Sequence, residues 1–365
     1  MSKNYKIYAE VLEDSALEQF MSAMRNEHTI KGALMPDAHT GYTLPIGAVV
    51  ATKDYVFPSY VGYDIGCGMC AIKTSFNLAA VQEKSEVIMN QIYFDLPVGY
   101  NHRDHPIYIC NTDGLTNAGC EIFNSKNGNN QLGTLGGGNH FVEVGRDEED
   151  NVWIIIHSGS RGVGHGIAQH YMRLASPTGK ASEGHYGFHV DSHEGKGYIN
   201  DLNWTLEYAL ENRRWIISTV GDAIGKHVYG IEDVETLINR NHNHAELKDG
   251  LWIHRKGATH AEKGMMGVIP GNMRDGSFIV EGLGNPGSLC SSSHGAGRVL
   301  GRKKAKETLD YDEFVETMKN VTARTTRDLL DESPMSYKNI FDVMDLQKDL
   351  VKIKHHIIPI INIKA

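Results

Sequence analysis

The stretch Tyr63-Asp64-Ile65-Gly66-Cys67-Gly68-Met69-Cys70 constrains this chain most, because it places a carboxylate and a thiol three residues apart, between glycines, at the end of an apolar run. A thiolate can bridge two cations while a carboxylate holds one, and glycine lets the backbone approach an ion closely. The same residues also read as a small buried apolar side chain, Cys67, beside a turn-capping Asp64. Four further stretches tip the balance toward chemistry: Gly136-Gly137-Gly138-Asn139-His140, His157-Ser158-Gly159-Ser160-Arg161-Gly162, Asn241-His242-Asn243-His244 and Ser291-Ser292-Ser293-His294-Gly295-Ala296-Gly297-Arg298. Each sets a His or an Asn-His pair in Gly/Ser-rich backbone, and ordinary packing seldom asks for that repeatedly.

No Pro/Ser-rich linker divides the 365 residues, so one large domain, 1–365, is expected. The opening Met-Ser-Lys-Asn-Tyr-Lys leads into no apolar segment, and no run approaches a membrane span. A cytoplasmic protein without membrane association follows. Cys67, Cys70, Cys110, Cys120 and Cys290 lack framework spacing, which predicts reduced thiols. The net charge of −9 argues against a generally basic surface that coats nucleic acid. A polyanion would have to be met by a local basic patch or by bound cations.

Periodicity predicts a strand over 6–11, a helix behind a Ser15-x-x-Glu18 capping box, and a strand over 44–51 with Asp37 and His39 at its mouth, as substrate groups or as a polar turn. A helix over 78–93 capped by Asn77 is expected, then a glycine loop delivering Asn139 and His140 to a strand over 140–144, and a buried strand over 152–156 ending at His157. Ser158 to Arg161 opens a helix whose N-terminus, with Arg161, suits a phosphate. His185, His189 and His193 are four apart, but the glycines of 175–200 predict an irregular loop. Helices over 202–224, 234–239, 311–321 and 337–350 follow from apolar spacing, as do strands over 251–254, 277–280 and 356–363. Arg255 to Thr259 reads as a basic turn suited to a phosphodiester. Gly282-Leu283-Gly284-Asn285-Pro286-Gly287 matches a dinucleotide fingerprint by spacing but contains Pro286 and lacks a βαβ frame. Alternating short elements predict a mixed α/β (α+β) fold around a central cleft.

Taken in order, Asp64 to Gly68, Leu135 to Glu143, His157 to Arg161, His254 to Ala258, Ile269-Pro270-Gly271 and Ser293 to Arg298 closely resemble the RtcB family of RNA ligases, from about Met35 to the last two residues. The resemblance implies an α/β domain with a dinuclear metal centre in a deep cleft, and joining of RNA ends carrying a 2′,3′-cyclic phosphate or 3′-phosphate to 5′-hydroxyl ends, using GTP and two Mn²⁺ ions, in tRNA splicing or RNA repair. It implies that Asp64, Cys67 and His140 hold one ion and Cys67, His157 and His242 the other, with Cys67 bridging. His294 would carry the covalent GMP. Asn139, His140, Phe141, Val142, Glu143, His242, Asn243, Pro270, Gly271, Asn272, Met273, Ser277, Gly295, Ala296, Gly297, Tyr337 and Lys364 would surround the guanylate. Arg161, Arg255 and Lys256 are candidates for RNA phosphates. A monomer is expected, with the need for an activating protein open. A binuclear metal phosphodiesterase acting on RNA ends is the alternative, and a non-catalytic RNA-end binder a third.

Overall fold

In the computed structural model, which describes residues 4–108, 111–181 and 184–365, the architecture is mixed α/β and rests on two sheets. The larger, eight-stranded sheet runs Met266–Pro270, Ser277–Gly282, Val351–Ile363, Phe141–Arg146, Val152–Ser158, Gly68–Lys73, Ile238–Asn241, with Thr322–Ala323 added beside Val351–Ile363. The smaller sheet has five strands in the order Asn4–Ile7, Thr29–His39, Ile46–Thr52, Leu251–Lys256, Asn243–Lys248.

The apolar run at 152–158 is a strand buried on both faces. Ile154 and Ile156 pack with Ile216 and Val220 of the long helix, whereas Trp153 and Ile155 face Met69, Val268 and Ile279. The strand alternates between two cores, so it has no polar face to show in sequence. The helix that covers it, His193–Gly225, begins well before Leu202, because the Ser192 side chain accepts from the Gly195 amide and caps it. Gly195 and Gly197 therefore lie inside a helix that their composition argued against.

Other expectations shift for local reasons. Ser15 bonds Thr40 instead of capping, and the helix Asp14–Arg25 has no side-chain cap. Asp37 and His39 belong to the strand Thr29–His39, not to a turn. Asn77 does cap, but the helix behind it breaks at Lys84 into Leu78–Glu83 and Ser85–Asp95. The segment 234–239 is a single 3₁₀ turn, Val234–Thr236, followed by a strand, since β-sheet pairing with Gly68–Lys73 overrides its helical spacing. Of the segments 311–321 and 337–350, Tyr311–Thr317 and Ile340–Asp345 are α-helical. The glycine fingerprint at 282–287 opens no βαβ unit; it ends a strand and enters the 3₁₀ turn Pro286–Ser288. Cys67, Cys70, Cys120 and Cys290 are free thiols, and Cys110 lies outside the described residues. Among the described residues no helix is long and apolar enough to cross a membrane.

Candidate metal centre and nucleotide cavity

Strand register assembles the first part of the site. Gly68 pairs with Ser158 on one side and Asn241 on the other, and Phe141 pairs with His157. Cys67, His140, His157 and His242 therefore stand at one edge of four neighbouring strands, although they are remote in sequence. The His242 amide donates to the Cys67 carbonyl at 2.7 Å, locking that edge.

The donor atoms converge in two groups that share the sulfur. Cys67 Sγ is 3.4 Å from His140 Nε2, which is 3.1 Å from Asp64 Oδ2. The same sulfur lies 3.2 Å from His157 Nε2, which is 3.3 Å from His242 Nε2. His157 Nδ1 donates to the Asn139 carbonyl at 3.0 Å, which leaves its Nε2 lone pair facing the cluster. Burial holds the His157 and His242 imidazoles well below their ordinary pKa, hence neutral. Burial, then the Asp64 carboxylate, pushes the Cys67 thiol well up. For Asp64, burial opposes ionisation, but the hydrogen bond and charge of His140 outweigh it and hold the carboxyl low. Donors bound to one cation at about 2.0–2.3 Å stand roughly 3.3–3.7 Å apart in tetrahedral geometry. A thiol, imidazoles and a carboxylate converging at 3.1–3.4 Å are close to that spacing and could hold a metal ion. A second convergence, of His244, Glu246 and His260, is already filled by a cation: the Arg255 guanidinium, which donates to His244 Nε2 at 3.0 Å and pairs with Glu246.

The long helix pins this edge with two buried polar residues that periodicity did not single out. Arg213 donates to the carbonyls of Gly66 at 2.7 Å and Ser158 at 2.9 Å, and to the side chains of Asn239 and Asn241. Asn212 accepts from the Gly133 amide and donates to the Gly159 carbonyl. Their signal was a polar pair on the apolar face of a helix.

His294 follows the short strand Ser291–Ser293 and lies beside this cluster, its ring centroid 4.8 Å from that of His242. Its Nδ1 donates to Asp37 Oδ2 at 2.6 Å, and the same oxygen accepts from the His294 and Gly295 amides. Burial opposes ionisation of Asp37, but the His294 charge and hydrogen bond outweigh it and hold the carboxyl low. Asp37 fixes a proton on Nδ1, so that it is Nε2 that carries the free lone pair whenever the ring is neutral.

On one side of His294 lies a cavity of about 300 Å³. Asn139, Phe141, Glu143, Pro270, Gly271, Asn272, Met273, Gly295, Ala296, Gly297, Tyr337 and Lys364 line it with His294. His140 stands with the metal donors instead, Val142 points into the apolar core, and Ser277 is buried behind the wall. His242 and Asn243 line a separate cleft on the metal side. His39, read from sequence as a substrate group or a turn residue, lines the cavity, while the sequence reading missed Arg298, Arg302, Glu332 and Asn362. Glu332 holds Lys364 by an ion pair and accepts from Tyr337 Oη at 2.6 Å. Burial opposes its ionisation, but Lys364 and Arg302 outweigh that and bring it down to about 2. Burial pushes the Glu143 carboxyl up to about 8. Ser277, behind it, opposes that shift, yet among the described residues Glu143 Oε1, Ser277 Oγ and Asn362 Oδ1 make no well-formed hydrogen bond. The RNA-phosphate candidates divide. Arg255 is fully enclosed and spent on Glu246, Ser291 and His244, so it is not free to grip a phosphate. Arg161 donates to Thr134 Oγ1 and the Gly99 carbonyl, and Lys256 lines the metal-side cleft.

A histidine oriented by a buried carboxylate, between a cluster of candidate metal donors and a cavity of about 300 Å³, defines the class: a mixed α/β protein with its candidate site in a central cleft. The family model described as tRNA-splicing ligase RtcB matches residues 19–123 and 113–365. The RNA-splicing ligase RtcB1 of Escherichia coli is 34% identical, across 97% of this chain and 95% of that protein. The tRNA-splicing ligases RtcB of Nanoarchaeum equitans and Archaeoglobus fulgidus are 27% and 28% identical, across 94% and 92% of this chain and 90% and 88% of theirs. The chain belongs to the RtcB family.

Proposed function

We propose that the protein is a GTP- and Mn²⁺-dependent ligase that joins RNA 3′-phosphate or 2′,3′-cyclic phosphate ends to 5′-hydroxyl ends. The observation that carries this reading is His294, whose Nδ1 is tied to Asp37 while its ring borders both the cavity and the metal-side cleft. Asp64, Cys67, His140, His157 and His242 would hold two Mn²⁺ ions, which supply charge neutralisation at phosphoryl oxygens.

GTP binds in the cavity. Glu143, buried and uncharged near neutral pH, and Lys364 meet the base, and Tyr337 flanks it. His294 Nε2 attacks the α-phosphorus; a P–N bond forms and pyrophosphate leaves. Asp37 stabilises the imidazolium that develops. An oxygen of the RNA 3′-phosphate then attacks the same phosphorus, the P–N bond breaks, and the RNA end carries GMP through a pyrophosphate link. The 5′-hydroxyl oxygen attacks the RNA phosphorus, GMP departs, and the hydroxyl proton passes to solvent. A cyclic end first takes up water to open to the 3′-phosphate. A metal phosphodiesterase would use the cysteine–histidine cluster but give the His294–Asp37 pair and the cavity no part.

The test is incubation with α-labelled GTP and Mn²⁺ beside His294→Ala. Wild type alone should acquire a covalent label that acid removes and base does not. No label on a wild type that binds both ligands would return the phosphodiesterase reading.

A further inference from the structure

The cleft on the metal side of His294, about 200 Å³, carries contacts that neither the metal donors nor the guanylate cavity explain. It runs from the buried Cys67 and His242 to Tyr42, which is 66% exposed. The Tyr42 ring meets Tyr63 edge-on at 5.9 Å, and Tyr63 stacks on His165 at 5.0 Å with 19° between the planes. His165 is itself exposed. Single exposed aromatics are ordinary on a protein surface, but here the exposed Tyr42 and the half-buried Tyr63 sit together in the cleft wall, with the His165 ring backing Tyr63 from outside the cleft.

A second, independent observation lies deeper in the same wall. Lys256 is buried, and among the described residues its Nζ donates only to the carbonyls of Tyr42 at 3.3 Å and Ser59 at 3.4 Å. Among the described residues no acidic group pairs with it. Contrast Lys364, equally enclosed but paired with Glu332. A buried ammonium without a counter-ion is costly and is relieved by an arriving anion. Burial alone pulls its pKa down to about 7, so the charge is readily taken up when that anion arrives.

We propose that this cleft receives the 3′-terminal nucleotide of the broken RNA, its base laid against the Tyr42–Tyr63 pair and its terminal phosphate held by Lys256. Rings for a base and a cation for a phosphate are the two contacts that single-stranded RNA offers. The choice of end rests on the ligase reading above: the phosphorylated end must reach His294, which borders this cleft. A 5′-hydroxyl end brings no terminal phosphate to answer the ammonium.

The probe is an RNA oligonucleotide ending in 2-aminopurine with a 3′-phosphate, mixed with the full chain and Mn²⁺ without GTP. Binding to wild type should quench the fluorophore. Tyr42→Ala and Tyr63→Ala should each weaken binding about tenfold and relieve the quench, while the Phe variants retain both. Lys256→Met should weaken binding of the 3′-phosphate oligonucleotide about tenfold and leave the 3′-hydroxyl version unchanged. It should also raise Tm, whereas a lysine with a merely structural role would lower it when replaced. Unaltered affinity and quench in both Tyr→Ala variants would overturn the platform. Quenching confined to a probe with the fluorophore at a 5′-hydroxyl end would overturn the assignment of the end. Sealing by wild type reports separately on the ligase reading, because protein that quenches the probe without sealing RNA keeps the platform and loses the ligase.

Discussion

The two regions that flank His294 are held in opposite ways. At the sheet edge, the backbone carbonyls around Cys67 and His157 are met by Arg213 and Asn212, and His157 is aimed by the Asn139 carbonyl. In the cavity wall, Glu143 Oε1 and Asn362 Oδ1, with Ser277 Oγ behind them, make no well-formed hydrogen bond among the described residues. Each such atom costs about 1–3 kcal/mol until something answers it. The backbone of the edge is organised by the protein itself, with His140 Nδ1 the unpartnered atom there, whereas the cavity wall leaves more to what binds. Damage to the edge should therefore appear as lost stability or lost chemistry, and damage to the cavity as lost affinity.

The sharpest break in that comparison is at their junction. Asp37→Asn removes the charge that fixes the His294 proton and should slow acquisition of the GMP label by about 10³-fold, with metal content by elemental analysis unchanged. If the rate survives, the orientation argument fails. Arg213→Met comes next: it strands two carbonyls and two amide side chains and should cost about 3 kcal/mol or more in denaturant unfolding. A variant as stable as wild type would show that the edge is held by strand pairing alone. Glu143→Gln should weaken GTP binding by roughly tenfold in calorimetry, with little loss of stability at pH 7.

That last variant also carries a pH signature. Glu143 has a folded pKa of about 8 against an ordinary value of 4.5. Its contribution to stability is present in full below the ordinary value and is lost as pH rises toward 8. Wild type should lose up to a few kcal/mol across that window, and Glu143→Gln should hold the flatter curve. Parallel curves would place a second group behind the effect.

Much of the edge was legible because its chemistry is local. Cys67, His140, His157 and His242 each sit in a motif that looks unlike a core, and strand-end placement could be read for His140 and His157. Asp37 was weighed against a polar turn because its partner, His294, is far along the chain and only the fold joins them. Arg298, Arg302 and Glu332 went unseen since an ion-pair network leaves no periodic mark. Arg255 was misjudged for the same reason: a cation next to a glycine turn reads as exposed, and its complete burial follows from pairing with Glu246 and Glu262. The long helix was placed but clipped, because Gly195 and Gly197 lower helix propensity while the cap at Ser192 acts through one hydrogen bond.

His242 is the only residue between the strand Ile238–Asn241 of the large sheet and the strand Asn243–Lys248 of the small one. A cation shared by His242 with Cys67 and His157 would thus be a mechanical fastener as well as a reagent. It would tie the crossover between two independently paired sheets to the edge of one of them, closing the chain over long stretches of sequence in a single bond. Stripping the metal would then loosen the joint between the sheets before it disturbed either, and the strands flanking His242 would be the first to exchange their amide protons.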